Sequence, residues 1–279
     1  MITDRDTNFV YISRCLKRKR YSVFLKRFER KLKAHGIRYD FLQLTNDIWC
    51  RDYMPVQTAQ NKFTQFKYDP VYPPWTDATK VCKDIGIESK VSDIKVDGGN
   101  VVRSRTKAIM TKRVIKKNKR RYAERELKTR LKKLLSVKEL IIIPECPDDP
   151  FGHADGMARF RDGVKDEREV FVNDYGREEA ELKEEVYRAL EKRGLTPIPM
   201  PYDPAGKGLD ARGIYINYLQ VGKVVFYPTY GFSSSDKKAG SFFSKYFGAN
   251  AVPIRADKIA KEGGILNCIS WNILQRERK

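Results

Sequence analysis

The sequence predicts an α/β fold: five strand–helix modules packed radially as a five-bladed propeller, with strands around a central channel and helices outside. Three observations lead there. Five helical stretches recur along the 279 residues, each followed by two or more short strand-like runs, without a sequence repeat. Regular alternation of strands and helices would otherwise point to a doubly wound sheet, but the G-x-G-x-x-G fingerprint is absent. No low-complexity tract or Pro/Gly/Ser-rich linker divides the chain, so residues 1–279 read as one domain. In such a ring, side chains far apart in sequence can meet beside the channel.

The elements follow in order. Phe9–Ser13 reads as a strand. A helix is predicted from about Leu16 to Ala34, where Tyr21, Phe24, Leu25, Phe28 and Leu32 share a face and Gly36 supplies the stop. Tyr39–Leu44, Met54–Thr58 and Lys62–Tyr68 are strands, and the Pro70–Pro74 cluster breaks the chain before a short helix at about Asp77–Asp84. Strands resume at Ser92–Val102 and Ala108–Thr111. A basic helix over about Tyr122–Ser136 keeps Leu127, Leu131 and Leu134 together and leads into the apolar strand Leu140–Ile143. The segment around His153 and Glu169–Asn173 are further strands. A helix at about Glu178–Arg193 buries Leu182, Val186, Ala189 and Leu190. Thr196–Pro199, Ile214–Gln220 and Lys223–Tyr227 are strands again. The fifth helix, about Asp236–Phe247, buries Ala239, Phe242, Phe243 and Tyr246, and strands at Ala251–Ile254 and Ile265–Ile269 follow.

Composition narrows the class. The apolar share of 41% and charged share of 33% fit a globular chain with a well-solvated surface. No apolar run approaches the ~20 residues of a membrane span. The N-terminus lacks a signal-peptide pattern, so a cytoplasmic protein is expected. The cysteines (Cys15, Cys50, Cys82, Cys146, Cys268) are odd in number, widely spaced and never C-x-x-C. They read as free thiols, neither a disulfide framework nor a metal site. A net charge of +20 invites a nucleic-acid reading. Much of the excess lies on stretches that read as solvated helix faces, such as Lys112–Lys133, which leaves a non-specific affinity for polyanions.

Four stretches carry residue types suited to chemistry. Gly152-His153-Ala154-Asp155 holds one of only two histidines and, in phase on a strand, a carboxylate on the same face. A buried histidine satisfied by its neighbour would look the same. Gly263-Gly264-Ile265-Leu266-Asn267-Cys268 places a thiol after paired glycines, beside Asn267 and Ser270. That thiol needs a cationic neighbour to ionise, and a packed cysteine on a strand is the plain alternative. Trp49-x-x-Asp52 pairs an indole face with an acid, which suits a planar cation. Asp97-Gly98-Gly99-Asn100 adds a third carboxylate, although Asp-Gly is also the commonest hairpin turn.

In order and character, Trp49-x-x-Asp52, Asp97-Gly-Gly-Asn100, Gly152-His153-x-Asp155 and Gly263-Gly264-x-x-x-Cys268 resemble the agmatine deiminases and bacterial peptidylarginine-deiminase-like proteins. These are guanidine-modifying enzymes of the pentein fold, the five-bladed α/β-propeller. The likeness runs from Asn8 to Ile273. It implies one guanidine-modifying catalytic domain in which Cys268 attacks the guanidinium carbon and His153 shuttles protons. It further implies that Asp52 and Asp155 grip the guanidinium nitrogens, Trp49 walls the pocket and Asp97 supports the histidine, where relatives often carry Glu. Asn217 resembles a site-lining asparagine of the bacterial branch. No cofactor or metal is implied. The run Asn267-Cys268-Ile269-Ser270-Trp271-Asn272 departs from the His before and Thr-Gln-Gln after the nucleophile that agmatine deiminases usually carry.

The chemistry fits these residue types independently. A guanidinium stays charged in a protein, so its site must supply anions, and two acids gripping its nitrogens make burial favourable. Resonance makes its carbon a poor electrophile, which calls for a thiolate. Ammonia leaves well only when protonated, which a histidine can arrange, and the same histidine can act a second time as base. The expected activity is hydrolysis of a C–N bond in agmatine or a similar small guanidine. Alternatives on the same site are an amidinotransferase or a peptidyl-arginine deiminase, and outside enzymology a non-catalytic basic nucleic-acid-binding protein.

Overall fold

The computed structural model describes residues 1–70, 75–163, 167–206 and 208–276, so most of the Pro70–Pro74 cluster lies outside the described residues. It begins with β1 (Phe9–Ser13), α1 (Ser22–Ala34) and β2 (Arg38–Leu42), then α2 (Cys50–Tyr53), β3 (Val56–Ala59), β4 (Lys62–Lys67), α3 (Ala78–Asp84) and β5 (Lys90–Lys95). Next come β6 (Val102–Arg103), β7 (Lys107–Thr111), α4 (Arg113–Asn118), α5 (Glu124–Leu135) and β8 (Glu139–Ile143). The second half holds β9 (Ala158–Phe160), β10 (Glu169–Asn173), α6 (Ala180–Glu191), β11 (Thr196–Met200), β12 (Leu219–Val221) and β13 (Val224–Thr229). It closes with α7 (Ser233–Phe247), β14 (Ala251–Arg255), α8 (Asp257–Ala260) and β15 (Ser270–Ile273).

These strands form an α/β architecture of five three-stranded sheets. Each sheet repeats one plan: an antiparallel pair, then a helical crossover to a parallel third strand. The crossover is what a parallel connection needs, since a tight turn cannot join two strands running the same way. The first sheet is the exception in connectivity, for its antiparallel strand is β15, with Phe9 opposite Ile273 and Tyr11 opposite Trp271. Among the described residues no helix is long and apolar enough to cross a membrane.

Local sequence explains most boundaries. Helix α1 buries Phe24, Leu25, Phe28 and Leu32, and the chain leaves it through Gly36 at φ +67. Helix α3 starts on Asp77, whose carboxylate accepts from the amides of Thr79 and Lys80. Helix α5 carries Glu124 and Glu126 in its first turn and Lys132 and Lys133 in its last, matching the helix dipole.

Several expected elements are broken, each for a visible reason. The helix expected from Leu16 begins only at Ser22, because Ser13 caps a separate 3-10 turn and Arg18 is extended. The helix expected at about Tyr122–Ser136 is found whole as α5, but the basic stretch ahead of it forms a second helix, α4, which Asn118 ends by bonding the backbone of Lys95 in both directions. The strand expected over Ser92–Val102 is interrupted by a 3-10 turn at Gly98–Asn100. There the Asn100 side chain accepts from the amides of Thr111 and Ala154. His153 and Asp155 are not on a strand: a 3-10 turn spans Ala154–Gly156 and β9 starts at Ala158. Nor is Asn217 on the strand expected over Ile214–Gln220, since pairing begins at Leu219. The strand expected at Ile265–Ile269 is a turn, and β15 begins two residues after Cys268.

Candidate active site

Every residue type singled out above for chemistry lies in a turn between strands, outside the hydrogen-bond ladders. Asp52 is on the single turn of α2, and Asp97 precedes the Gly98–Asn100 turn. His153 and Asp155 border the Ala154–Gly156 turn, and Cys268 sits just before β15. A turn frees each side chain from sheet alternation and aims it into a common space.

Two glycines make that space. A Cβ on Gly99 would lie 2.7 Å from both Asp52 Oδ1 and His153 Nδ1, and 3.2 Å from Asp155 Oδ1. A Cβ on Gly264 would fall 2.4 Å from the Trp49 ring and 3.0 Å from Cys268 Cβ. Around Gly99 the polar groups interlock. His153 Nε2 is 3.2 Å from Asp97 Oδ2, and its Nδ1 is 3.6 Å from Asp52 Oδ1. The Gly99 amide donates to Asp52 Oδ1 at 2.9 Å. Asn267 Nδ2 donates to Asp155 Oδ2 at 2.6 Å.

The loop that carries Cys268 is fixed from two sides. Asn217 Oδ1 accepts from the amides of Asn267 (3.1 Å) and Cys268 (3.4 Å) and lies 3.4 Å from the Cys268 sulfur. On the other side, the Arg51 amide donates to the Cys268 carbonyl at 3.1 Å and its Nε to the Asn267 carbonyl at 3.3 Å. Arg51 also reaches Asn272, which bonds the buried carboxylate of Asp4. Arg103 and Arg159 pair with the same Asp4.

A cavity of ≈ 90 Å³ opens beside these groups, lined by Cys268, His153, Asp155 and Asn217 at its reactive end. That is several times the roughly 10–15 Å³ that one water needs. Its described walls also include Asp148, Asp149 and Asp210, the last paired with Arg212. Asn173 and Tyr175 line it as well, with the Asn173 Oδ1 and the Tyr175 hydroxyl buried. A smaller recess behind His153 is lined by Asp52, Asp97, Arg113 and Lys117. Trp49 is not among the lining residues; it packs behind Gly264. Among the described residues no group of three or more His, Cys, Asp or Glu is arranged to hold a metal ion.

The charges in this cluster depend on each other. Burial works against a charged His153, but Asp52 and the hydrogen-bonded Asp97 outweigh it and hold the imidazolium up to about 10. Asp52 is pushed up to about 7, by burial first and then, against the pull of His153, by Asp97 and Asp155. Burial would raise Asp97 too, yet His153 and the Lys117 ammonium hold it down at about 2. Burial also raises Asp155. The Cys268 thiol is pushed well above its ordinary range by burial, then by Asp155 and Asp52. That direction favours the neutral thiol over the thiolate.

A pH dependence of stability follows. A free imidazole titrates at about 6.5, so the stabilisation from His153 is complete below that and lost as pH rises towards 10. Asp52, also raised, loses its contribution between about 4 and 7, in the same direction. Asp97, depressed to about 2, contributes above about 4 and loses that contribution as pH falls towards 2. Thermal melts should therefore peak at about pH 4 and decline on the alkaline side, first through Asp52 and then through His153. His153→Gln should make that decline shallower.

Of the residues expected from sequence, Cys268, His153, Asp155 and Asn217 meet in one cavity, and Asp52 and Asp97 stand behind the histidine. Asp97, though shorter than Glu, does reach His153. Sequence reading set Asn267 beside the sulfur but not against Asp155, and it passed over Lys117, Arg51 and the spatial role of Gly99. Arg51 and Asn267 adjoin residues that were singled out, but Lys117 is one lysine in a basic run and carries no local signal.

The family model described as Porphyromonas-type peptidyl-arginine deiminase matches residues 8–273. No curated protein sequence matches the chain. Among solved structures, the agmatine deiminase of C. jejuni is 16% identical with a TM-score of 0.73, over 99% of this chain and 96% of that one. A Porphyromonas gingivalis structure provisionally described as an arginine deiminase is 18% identical with a TM-score of 0.78, over 98% of each chain. DDAH from Pseudomonas aeruginosa is 10% identical with a TM-score of 0.60, over 96% and 99%. At these identities the likeness to solved structures shows the fold alone.

Proposed function

The chain belongs to the Porphyromonas-type peptidyl-arginine deiminase family and is a hydrolase of guanidino C–N bonds; from that premise we propose that it deiminates agmatine or a similar small guanidine through a covalent adduct on Cys268. The observation that carries the proposal is the meeting of Cys268, His153, Asp155 and Asn217 around one cavity. We read the five sheets as propeller blades, with β15 closing the first. Packing of β6 on β9 and of β12 on β15 supports that reading.

In the proposed mechanism the cationic substrate itself promotes ionisation of the thiol. A guanidinium held by Asp155, with Asp52 behind His153 adding its negative field, offsets the burial and the carboxylate charge that raise the Cys268 thiol, so its proton leaves to solvent and the thiolate forms as the substrate binds. The sulfur attacks the central carbon and makes a C–S bond. The imidazolium of His153 gives its proton to the leaving nitrogen, and ammonia departs as the C–N bond breaks. The neutral imidazole then takes a proton from water, whose oxygen attacks the same carbon. Collapse breaks the C–S bond and releases a ureido product and the thiolate. Asp97 holds Nε2 and favours the charged imidazole needed for the first half.

The cavity favours a basic tail. Asp148, Asp149 and Asp210 line it, Asp210 being paired with Arg212, so Asp148 and Asp149 carry most of the negative charge that faces a tail. The carboxylate of free arginine would meet like charge there, which costs several kcal/mol. Ammonia release should therefore be faster with agmatine than with free arginine by about 10²-fold in kcat/KM. A panel that adds peptidyl-arginine completes the comparison, and equal rates on all three would sink the tail argument. Candidate amine acceptors in the same assay separate hydrolysis from amidino transfer. Exposed Lys26, Arg30, Lys33, Arg125, Arg130 and Lys133 on α1 and α5 support a secondary, salt-sensitive affinity for polyanions.

A further inference from the structure

We infer that Lys117 is a positioning residue of this site: by sharing one carboxylate oxygen of Asp97 with His153, its ammonium sets how tightly the imidazole holds its proton. Lys117 Nζ lies 2.5 Å from Asp97 Oδ2, the same atom that lies 3.2 Å from His153 Nε2. Among the described residues the other oxygen, Oδ1, is buried without a partner, so both contacts load a single atom. An oxygen already engaged by an ammonium is a weaker acceptor for the imidazolium, and a nearby positive charge opposes a second one.

The placement is built into the fold. Helix α4 is clamped to β5, the strand that leads into Asp97, by the two bonds between Asn118 and the Lys95 backbone. One turn of backbone away, Val114 is buried beneath the helix. Lys117 itself is only 15% exposed, and its Nζ also donates to the Asp69 carbonyl at 3.2 Å. It is thus an inward-facing lysine in a run whose other members are mostly solvated. Among the described residues the other charged or titratable groups around His153 are Asp52 from α2, Tyr68 after β4, Arg113 from α4, Asp149 and Asp155 on its own segment, and Cys268 before β15. Of the cations in that set, only Lys117 bonds the carboxylate that bonds the imidazole.

The kinetic consequence rests on the hydrolase reading; the electrostatic one does not. The test is a proton NMR titration of the imidazole signals in the whole chain. It contains just two histidines, His35 and His153, so a His35→Gln variant assigns both signals. Lys117→Met and Lys117→Gln should each move the His153 titration up by about one pH unit, while Lys117→Arg leaves it near its original position and His35 stays put. In ammonia-release assays the alkaline limb of kcat should move up with it, at unchanged KM. The Gln variant keeps the test open if Met does not fold. A His153 titration that coincides in the neutral variants and the unmodified chain would overturn the inference, as would an equal displacement of His35. A chain that shows the displacement but releases no ammonia would sink the hydrolase reading alone.

Discussion

Cys268→Ala is expected to lower ammonia release by about 10⁴-fold or more, because no other group at the site can form the covalent adduct. The sulfur is almost fully buried, yet the change removes a single heavy atom and should cost only about 1 kcal/mol of stability. The turn that carries it stays held through backbone groups: the Asn217 side chain takes the amides of residues 267 and 268, and Arg51 takes their carbonyls. An inactive protein with a nearly unchanged melting curve is therefore the expected outcome. An alanine variant that kept its turnover would remove Cys268 from the chemistry and leave the fold untouched.

The adjacent glycines Gly98 and Gly99 should fail in different ways when given a methyl group. In Gly98→Ala the new carbon would sit 1.9 Å from the Arg51 carbonyl oxygen, a backbone atom that cannot swing aside. The expected result is a loss of about 3 kcal/mol in stability, read as a lower melting temperature. In Gly99→Ala the carbon would meet only side chains, namely Asp52 and His153 at 2.7 Å and Asp155 at 3.2 Å. Those can move, so the cost falls on geometry. Reacting groups displaced by about 1 Å lose about 10²-fold in rate. Melting curves and ammonia release on the pair decide it. Equal activity in Gly99→Ala and the unmodified chain would mean that the three groups do not need their close packing around that glycine.

The features legible in sequence were those written locally. Apolar periodicity located the helices that bridge each parallel pair, and Gly36 marked the end of α1 correctly. The four motif stretches pointed to side chains that gather in and around one cavity, because small residues and turn formers surround them. What escaped was anything decided by a distant partner. His153 and Asp155 were expected on a strand because alternation looks the same whether or not a ladder forms. The turn is instead held by Asn100, more than fifty positions away in sequence. Cys268 was placed inside a strand for the same reason, since Ile265–Ile269 is apolar enough for one. Lys117 could not be singled out among its basic neighbours until the fold showed which lysine faces inward.

The pairing of β15 with β1 has a consequence for how activity arises during folding. These strands lie at nearly opposite ends of the described chain, so their contact carries a high loop-closure cost and should form late. The thiol stands two residues before that pairing, whereas the carboxylates and the imidazole come from segments between the two strands. A half-folded intermediate would then hold its acids and histidine together with the sulfur still adrift, and catalysis would switch on only at final docking. Regain of ammonia release after dilution from denaturant should accordingly lag behind the recovery of helical circular dichroism.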